Sequence, residues 1–378
     1  MVCRVLHAFG SGVCEALPVQ LVNDIFFLHE RVCLCLGATG PLYAGYMLAG
    51  GYSWRLFFYV EIAFAGALFI LAFIFVEETM YKRVLPTSLV PSLNESNENY
   101  SKEGKIIHHT ETNTSLVPPR KSFLATLKPW SGIDHEAEFF MTMIRPFTLF
   151  FVPAVFWVIT TYGIYIGLGA LAFNFTFPIK IVAPPYNWAA TNSGLIAVGN
   201  AVGFFLALPF TFTSDRLAAY LTRRNGGIRE AEMRLGVLWP AVFIAPAGLL
   251  LYGLTAERNL HWMGYFAGVA MVNWSAYFFF SFTLAYAVDS YTANTSEMLI
   301  AMNLGKQAIS FGMGLYLLEW ILERGYAVVI GGIFVAVLLA NNLALFIFVF
   351  AGKKIRTVTA RSFVGRMHKK TAGTVLTH

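Results

Sequence analysis

Residues 213–236, with the sequence TSDRLAAYLTRRNGGIREAEMRLG, form a polar segment between two long apolar runs at residues 189–212 and 237–254. Each apolar run is long enough to cross a bilayer as a helix. The polar segment, called here the arginine-rich segment, contains five arginines: Arg216, Arg223, Arg224, Arg229 and Arg234. Short loops rich in arginine stay on the cytoplasmic side of a membrane. The segment therefore orients its two flanking spans and, by alternation, all the others.

The composition indicates a membrane protein made of helices. Hydrophobic residues form 57% of the 378-residue chain and charged residues only 13%, which is too few charges for the surface of a soluble domain of this length. The apolar runs are long and continuous, as in helices, without the alternation of a membrane β-barrel. The net charge of +6 comes from loops and the tail, where the positive-inside rule places basic residues, so we expect no nucleic-acid partner.

The apolar runs predict an all-α, polytopic membrane bundle of about nine transmembrane helices, with the N-terminus outside. The predicted spans are residues 1–27, 32–51, 56–76, 147–175, 189–212, 237–254, 262–288, 298–321 and 327–350.

Charge and composition divide the chain into four parts. Residues 1–79 form a partial N-terminal bundle of three spans, and residues 147–351 form a six-helix bundle. Between them, residues 80–146 are rich in Ser, Asn, Thr, Glu, Lys and Pro, which predicts a largely disordered cytoplasmic loop. Residues 352–378 form a basic cytoplasmic tail.

Charged side chains within spans are candidates for function, because each costs about 2.5–3.5 kcal/mol to insert at the bilayer centre. Glu15 lies half-way along the first span, and burial would raise its pKa, so it is a candidate proton or cation site. The alternative is a structural hydrogen bond between helices. Arg4 lies near the outer end of the same span, where snorkelling to the interface would also explain it.

Asp289 and Lys306 are the best candidate pair for a gate. Asp289 ends one span and Lys306 lies about two turns into the next, so antiparallel packing would bring them together in the cytoplasmic half. An ion pair that opens in one state would act as a gate, whereas a static pair would only satisfy two charges. Glu297 and Asn303 flank the same entrance.

Polar and aromatic residues in the middle of spans are candidates for a cavity wall. Asn200 and Asn273 could line it directly. Aromatic side chains could bind an organic cation by cation–π contacts, although we expect most of them to face lipid. These aromatic residues are Trp157, Tyr162, Tyr165, Tyr277 and Phe278 to Phe280. Eight glycines predict close helix packing: Gly163, Gly167, Gly169, Gly194, Gly199, Gly203, Gly312 and Gly314.

The sequence contains no nucleophile elbow, no H-E-x-x-H motif, no P-loop and no G-x-G-x-x-G after a strand. We therefore expect no enzyme activity, no metal and no cofactor, and the missing P-loop argues against an ATP-driven pump.

Several short motifs follow one another along the chain. They are Arg4 with Gly10 and Gly12, NDIFFLHER at residues 23–31, Gly37 with Gly40-Pro41 and Gly45, Trp54-Arg55, ETMY at 78–81, SDR at 214–216, VDSY at 288–291 and NLGK at 303–306. In this order they resemble spans four to twelve of fungal major facilitator transporters. The resemblance is strongest to the drug:proton antiporter-like branch, which also contains polyamine transporters.

The resemblance implies roles for further residues. Arg4 would couple the fourth span to the first, and Asp24 with Arg31 would mark the exit of the fourth span. Gly40-Pro41 resembles the antiporter motif of the fifth span, and Asp215-Arg216 would make a charge contact when the cytoplasmic side is closed. Spans one to three of the family have no counterpart, which implies an N-terminally truncated version of a twelve-helix fold.

The function implied by the resemblance is proton-coupled, antiport-like movement of a small organic solute by alternating access. The alternative is a truncated, non-transporting membrane protein that is inert or needs a protein partner. The expected partners are the lipid bilayer, the solute and protons. The plasma membrane is the expected location, with the vacuolar membrane as the alternative.

Overall fold

The computed structural model of the chain describes residues 47, 54–75, 139–210, 213–227, 231–290 and 295–361, which are helices and short turns. The helices are α1 (Trp54–Phe75), α2 (Phe139–Thr148), α3 (Pro153–Ile164), α4 (Ala172–Val182), α5 (Ile196–Ala207), α6 (Thr213–Arg224), α7 (Trp239–Arg258), α8 (Met263–Ser290), α9 (Thr295–Arg324) and α10 (Val335–Arg361). Two π-helical segments join these helices: Tyr165–Leu171 continues α3 into α4, and Ala327–Phe334 leads into α10. Four 3-10 segments complete the set: Leu149–Phe151, Ala190–Leu195, Leu208–Phe210 and Ala231–Leu238.

Five helical stretches among the described residues are long and apolar enough to cross a membrane. They are Pro153–Val182, Ala190–Phe210, Ala231–Arg258, Met263–Ala287 and Ala327–Thr359. Each overlaps one span predicted from the sequence, and α1 and α9 cover two further predicted spans. The predicted all-α membrane bundle is confirmed.

The boundaries differ from the prediction where helices continue past polar or proline residues. Pro178 lies inside α4, which runs to Val182, although the sequence predicted that this span ends at residue 175. The last helix continues to Arg361, past the predicted start of the tail at residue 352. Backbone hydrogen bonding can therefore continue beyond the apolar core of a span, where hydropathy no longer reports the helix.

The arginine-rich segment is not a plain loop. Its first half is α6, whose face of Ser214, Leu217, Ala218 and Leu221 is turned inward. The chain then reverses through Gly226 and Gly227, both at positive φ (67° and 86°), where glycine avoids a Cβ clash. The 3-10 segment Ala231–Leu238 follows and packs against α6. The expectation of a loop was wrong here. The apolar residues of α6 are few and lie among arginines, so hydropathy does not reveal the helix.

α8 lies at the centre of the bundle. It packs mainly against α7 and α5, whereas α9 packs mainly against α3 and the π-helical segment after it. A Cβ on Gly203 of α5 would lie 2.6 Å from the carbonyl oxygen of Ala270 and 3.0 Å from the Trp274 nitrogen, both on α8. Gly248 of α7 and Gly268 of α8 meet in the same way, because a Cβ on either would lie 2.8 Å from the carbonyl oxygen of the other.

Most of the glycines predicted to allow close packing do so. Gly163, Gly167, Gly169, Gly199 and Gly203 all face neighbouring helices. Gly312 and Gly314 of α9 do not, since a Cβ at either position has open space around it within the described residues. The prediction was wrong for these two, because glycine content alone does not tell which face of a helix meets a neighbour.

We predict that Gly203→Ala destabilises the protein by about 1–3 kcal/mol, because α5 and α8 would have to move apart. Gly312→Ala is the matched control, and it should leave the stability unchanged or slightly raised, since alanine favours a helix. Thermal unfolding of the two purified variants measures the difference. Equal unfolding temperatures for both variants would contradict a close α5–α8 contact at Gly203.

Candidate functional site

The structure describes some of the candidate residues, whereas others lie outside the described part of the chain. Glu15, Arg4, Asp24, Arg31, Gly40 and Pro41 lie outside the described residues. Asp215 and Asp289 lie in α6 and α8, but their side chains are also outside the description. The roles predicted for these eight residues stay predictions.

Asn200 and Asn273 meet directly between α5 and α8. The Asn273 side-chain amide donates to Asn200 Oδ1 at 2.6 Å and to the Val269 carbonyl at 2.9 Å. Both side chains are partly buried. The structure therefore brings these two candidates together, and their first role is a helix-to-helix hydrogen bond in apolar surroundings.

The candidate aromatic side chains lie within the bundle. Trp157, Tyr165, Phe278 and Phe279 are buried, so the expectation that most would face lipid was wrong for these four. Tyr162 stacks on Phe280 with ring centroids 4.3 Å apart, and its hydroxyl donates to the Phe280 carbonyl at 2.7 Å. Both of these rings are only partly buried, which leaves a stacked aromatic pair on α3 and α8 as candidate cavity wall.

Lys306 is 7% exposed and lies about 17 Å along α9, well inside a helix of spanning length. Asn303, one turn earlier, is partly buried. The helices of Asp289 and Lys306 follow one another in the chain but pack mainly against different neighbours. The Asp289–Lys306 pair therefore stays a prediction.

Glu297 forms an ion pair with Arg145, with Glu297 Oε1 3.5 Å from Arg145 Nη1. The pair joins the first turn of α9 to α2, and both side chains are largely buried. Because consecutive spans reverse direction, this end of the bundle is the one that also carries α6. The positive-inside rule predicts that it is the cytoplasmic end.

A second ion pair at the same end was missed by sequence reasoning. Arg356 donates from Nε to Glu232 Oε1 at 2.9 Å and from Nη2 to Glu232 Oε2 at 2.7 Å. This two-bond geometry is the strong form of an arginine–carboxylate contact. It connects the 3-10 segment Ala231–Leu238 to the end of α10, and the Glu232 side chain is 9% exposed. One signal in the sequence was Glu232 itself, an acidic residue among arginines.

A polar cluster joining α3 and α10 was also missed. Asn341 accepts from Thr160 at 3.0 Å through its side-chain oxygen and donates to the Thr161 hydroxyl at 2.9 Å. Its carbonyl accepts from Trp157 Nε1 at 3.2 Å. The adjacent Asn342 is buried and donates to the Val242 carbonyl of α7 at 3.5 Å. The consecutive asparagines in an apolar span were the available sequence signal.

The opposite end of the bundle is held by a carboxylate on backbone amides. Glu257 Oε2 accepts from the Tyr326 N–H at 2.7 Å and from the Ala327 N–H at 3.3 Å, where the last span begins. Lys180 lies 4.5 Å from the centroid of the Tyr326 ring. Burial and, secondly, the Glu257 charge raise the pKa of Tyr326. The cluster connects the ends of α4 and α7 to the start of the π-helical segment Ala327–Phe334.

The described residues contain no group of three or more His, Cys, Asp or Glu side chains that could hold a metal ion. The site thus consists of polar, aromatic and charged side chains between membrane-spanning helices. Such a bundle defines the class of the protein as a polytopic, helical integral membrane protein.

The family is shown by comparison with known proteins. Residues 33–317 match the family model of the Major Facilitator Superfamily, and this chain belongs to that family. No solved structure matches the chain.

The chain is also similar to several curated fungal proteins. An uncharacterized transporter of Schizosaccharomyces pombe is 28% identical over 306 residues, which cover 76% of this chain and 56% of the relative. The MFS-type transporter penM of Penicillium rubens is 26% identical, covering 79% and 56%. A probable drug/proton antiporter of Saccharomyces cerevisiae is 24% identical, covering 76% and 51%. The chain thus spans about half the length of these relatives.

We predict that Glu232→Gln destabilises the protein by about 1–3 kcal/mol, because it leaves a partly buried guanidinium without its carboxylate. A double-mutant cycle with Arg356→Gln, followed by thermal unfolding, measures the coupling between the two residues. Glu323→Gln, at an exposed position of α9, is the control and should have little effect. Additive effects of the Glu232 and Arg356 substitutions would contradict the pair.

Proposed function

We propose that the protein is a proton-coupled transporter of a small organic solute that works by alternating access. The observation that carries the proposal is Lys306, a charged side chain 7% exposed in a helix of spanning length within a major facilitator chain. An ionisable group inside a membrane span is costly to keep and marks a solute, ion or proton path by default. Two halves that rock about a central site give alternating access in this kind of fold.

Proton coupling is supported by one relative and by the charged candidates. The similar protein of Saccharomyces cerevisiae is named a probable drug/proton antiporter. In this chain, Glu15 would load and release the proton, and Gly40-Pro41 would favour antiport as in the family motif. Asp289 and Lys306 would form the ion pair that opens and closes near the cytoplasmic end.

The solute class that fits is an organic cation, drug-like or polyamine-like. The stacked pair of Tyr162 and Phe280 offers aromatic faces on two helices that meet in the bundle. A cation over such a face gains about 0.5–2 kcal/mol, more when it is desolvated. The Asn200–Asn273 pair would supply a hydrogen-bonding wall nearby on α5 and α8. The expected location is the plasma membrane, with the vacuolar membrane as the alternative.

We predict that the full chain, reconstituted in vesicles, moves protons when a cationic solute such as ethidium or spermidine is added. Glu15→Gln should abolish this solute-dependent flux because it cannot release a proton, and Asp289→Asn should abolish it because it cannot form the gating ion pair with Lys306. A pH-sensitive dye inside the vesicles measures the flux. The control is Glu319→Gln, which removes an exposed carboxylate from the outer part of α9 and should leave the flux unchanged.

The other outcomes of this experiment distinguish between the hypotheses about the site residues, proton coupling and transport. Flux that is indifferent to both substitutions would contradict the assignment of Asp289 and Glu15 but not transport. Solute uptake without proton movement would contradict coupling. No uptake of any kind would favour a non-transporting membrane protein that is inert or needs a partner.

A further inference from the structure

We propose that α6 and the neighbouring end of α10 form a docking surface for anionic phospholipid headgroups of the cytoplasmic leaflet. The surface consists of Arg223 and Arg224 with Tyr220 on α6, and of Lys353 and Lys354 on α10; it is called here the basic platform. This inference does not depend on transport, on the coupling ion or on the solute.

The shape of α6 suits a helix that lies at a membrane surface. One face packs against the 3-10 segment Ala231–Leu238: Thr222 contacts Met233, with Thr222 Oγ1 3.7 Å from Met233 Sδ, and Leu217 lies close to Gly236. The opposite face is exposed and carries Arg216, Tyr220 and Arg223, which are spaced to fall on one side of a helix. Tyr220 is 60% exposed. Tyrosine between arginines is typical of the headgroup region, where the ring is half apolar and half polar.

The guanidinium groups of Arg223 and Arg224 are available to a ligand. Both side chains are exposed, and neither forms an ion pair with any residue in the described part of the chain. Each guanidinium offers paired N–H donors that match a phosphate. Two such groups at the end of one helix form a stronger attraction for a phosphodiester than scattered lysines would.

A shallow, open pocket lies beside Arg224 on this surface. It has a volume of about 270 Å³ and is lined by Leu221, Arg224, Asn225 and Met233. Two of these side chains are apolar and two are polar, so the lining combines a phosphate-binding group with a short apolar wall. This combination fits the junction between a lipid headgroup and its chains better than it fits a free inorganic anion.

The end of α10 extends the positive charge. Lys353 and Lys354 are exposed where α10 leaves its apolar part, and the Glu232–Arg356 ion pair fixes that end to the segment behind α6. Because Glu232 is paired with Arg356, its carboxylate does not neutralise the exposed Arg223 and Arg224. Clusters of basic residues next to a membrane attract the anionic lipids of the cytoplasmic leaflet.

The test uses the purified full chain in an uncharged detergent, with phosphatidylserine and phosphatidylcholine as probes. Native mass spectrometry counts each bound lipid and gives the Kd of the first binding step. We expect phosphatidylserine to bind more tightly than phosphatidylcholine, and added sodium chloride to weaken only phosphatidylserine. Arg223→Gln/Arg224→Gln should weaken the first phosphatidylserine step roughly 10- to 30-fold and leave phosphatidylcholine unchanged.

Three controls keep the result interpretable. Arg258→Gln/Arg324→Gln removes two exposed arginines from the opposite end of the bundle and should not alter phosphatidylserine binding. Arg223→Lys/Arg224→Lys keeps the charge and should retain most of the affinity. Thermal unfolding should be the same for all three double variants, because the side chains are exposed.

Several results would overturn the proposal. Equal affinity for the two lipids, or an equal loss in the α6 variant and in the opposite-end variant, would mean that no lipid site exists on the platform. Displacement of phosphatidylserine by excess inorganic phosphate alone would mean that the surface binds a soluble anion instead. An α6 variant with unchanged lipid binding but altered solute flux in phosphatidylcholine vesicles would mean that this face contacts another part of the transporter.

Discussion

The close approach of helix backbones at glycine is the contact on which the bundle depends. Lipid chains are as apolar as leucine, so helices in a membrane associate through packing and hydrogen bonds more than through hydrophobic burial. Gly203 lets α5 approach α8, and Gly248 with Gly268 lets α7 approach it from another side. α8 is therefore central because small residues on its neighbours leave room for its backbone, and the polar contacts follow from that position.

Polar side chains inside the bundle first satisfy one another. Asn273 reaches Asn200 only because Gly203, one turn from Asn200, brings α5 and α8 together. Asn341 bonds with both Thr160 and Thr161 and so holds α10 against α3. An unpaired amide in hydrocarbon would cost several kcal/mol, so such contacts form wherever geometry allows. Lys306 differs in kind, because a buried ammonium is costly even with a partner.

The sequence predicted the spans well and the contacts between them poorly. Hydropathy located the spans that contain α3 to α5 and α7 to α10, because a span needs a continuous apolar run to cross the bilayer, but it missed that α4 and α10 continue beyond the predicted ends. Hydropathy could not predict that α6 is a helix, because its few apolar residues lie among arginines. It also could not predict that Glu232 contacts Arg356, because the two residues are more than a hundred positions apart in the sequence. Asn200 and Asn273 were recognised separately as polar residues, but only the packing at Gly203 reveals that they meet.

Two ion pairs lie at the end of the bundle that carries α6. Arg145–Glu297 joins α2 to α9, and Glu232–Arg356 joins α10 to the segment before α7, so both pairs connect helices of the described region that begins at α2. When two halves rock about a central site, contacts inside one half move together and have no reason to break. Both pairs hold neighbouring segments together in this structure, and the gating role predicted for Glu297 stays a prediction.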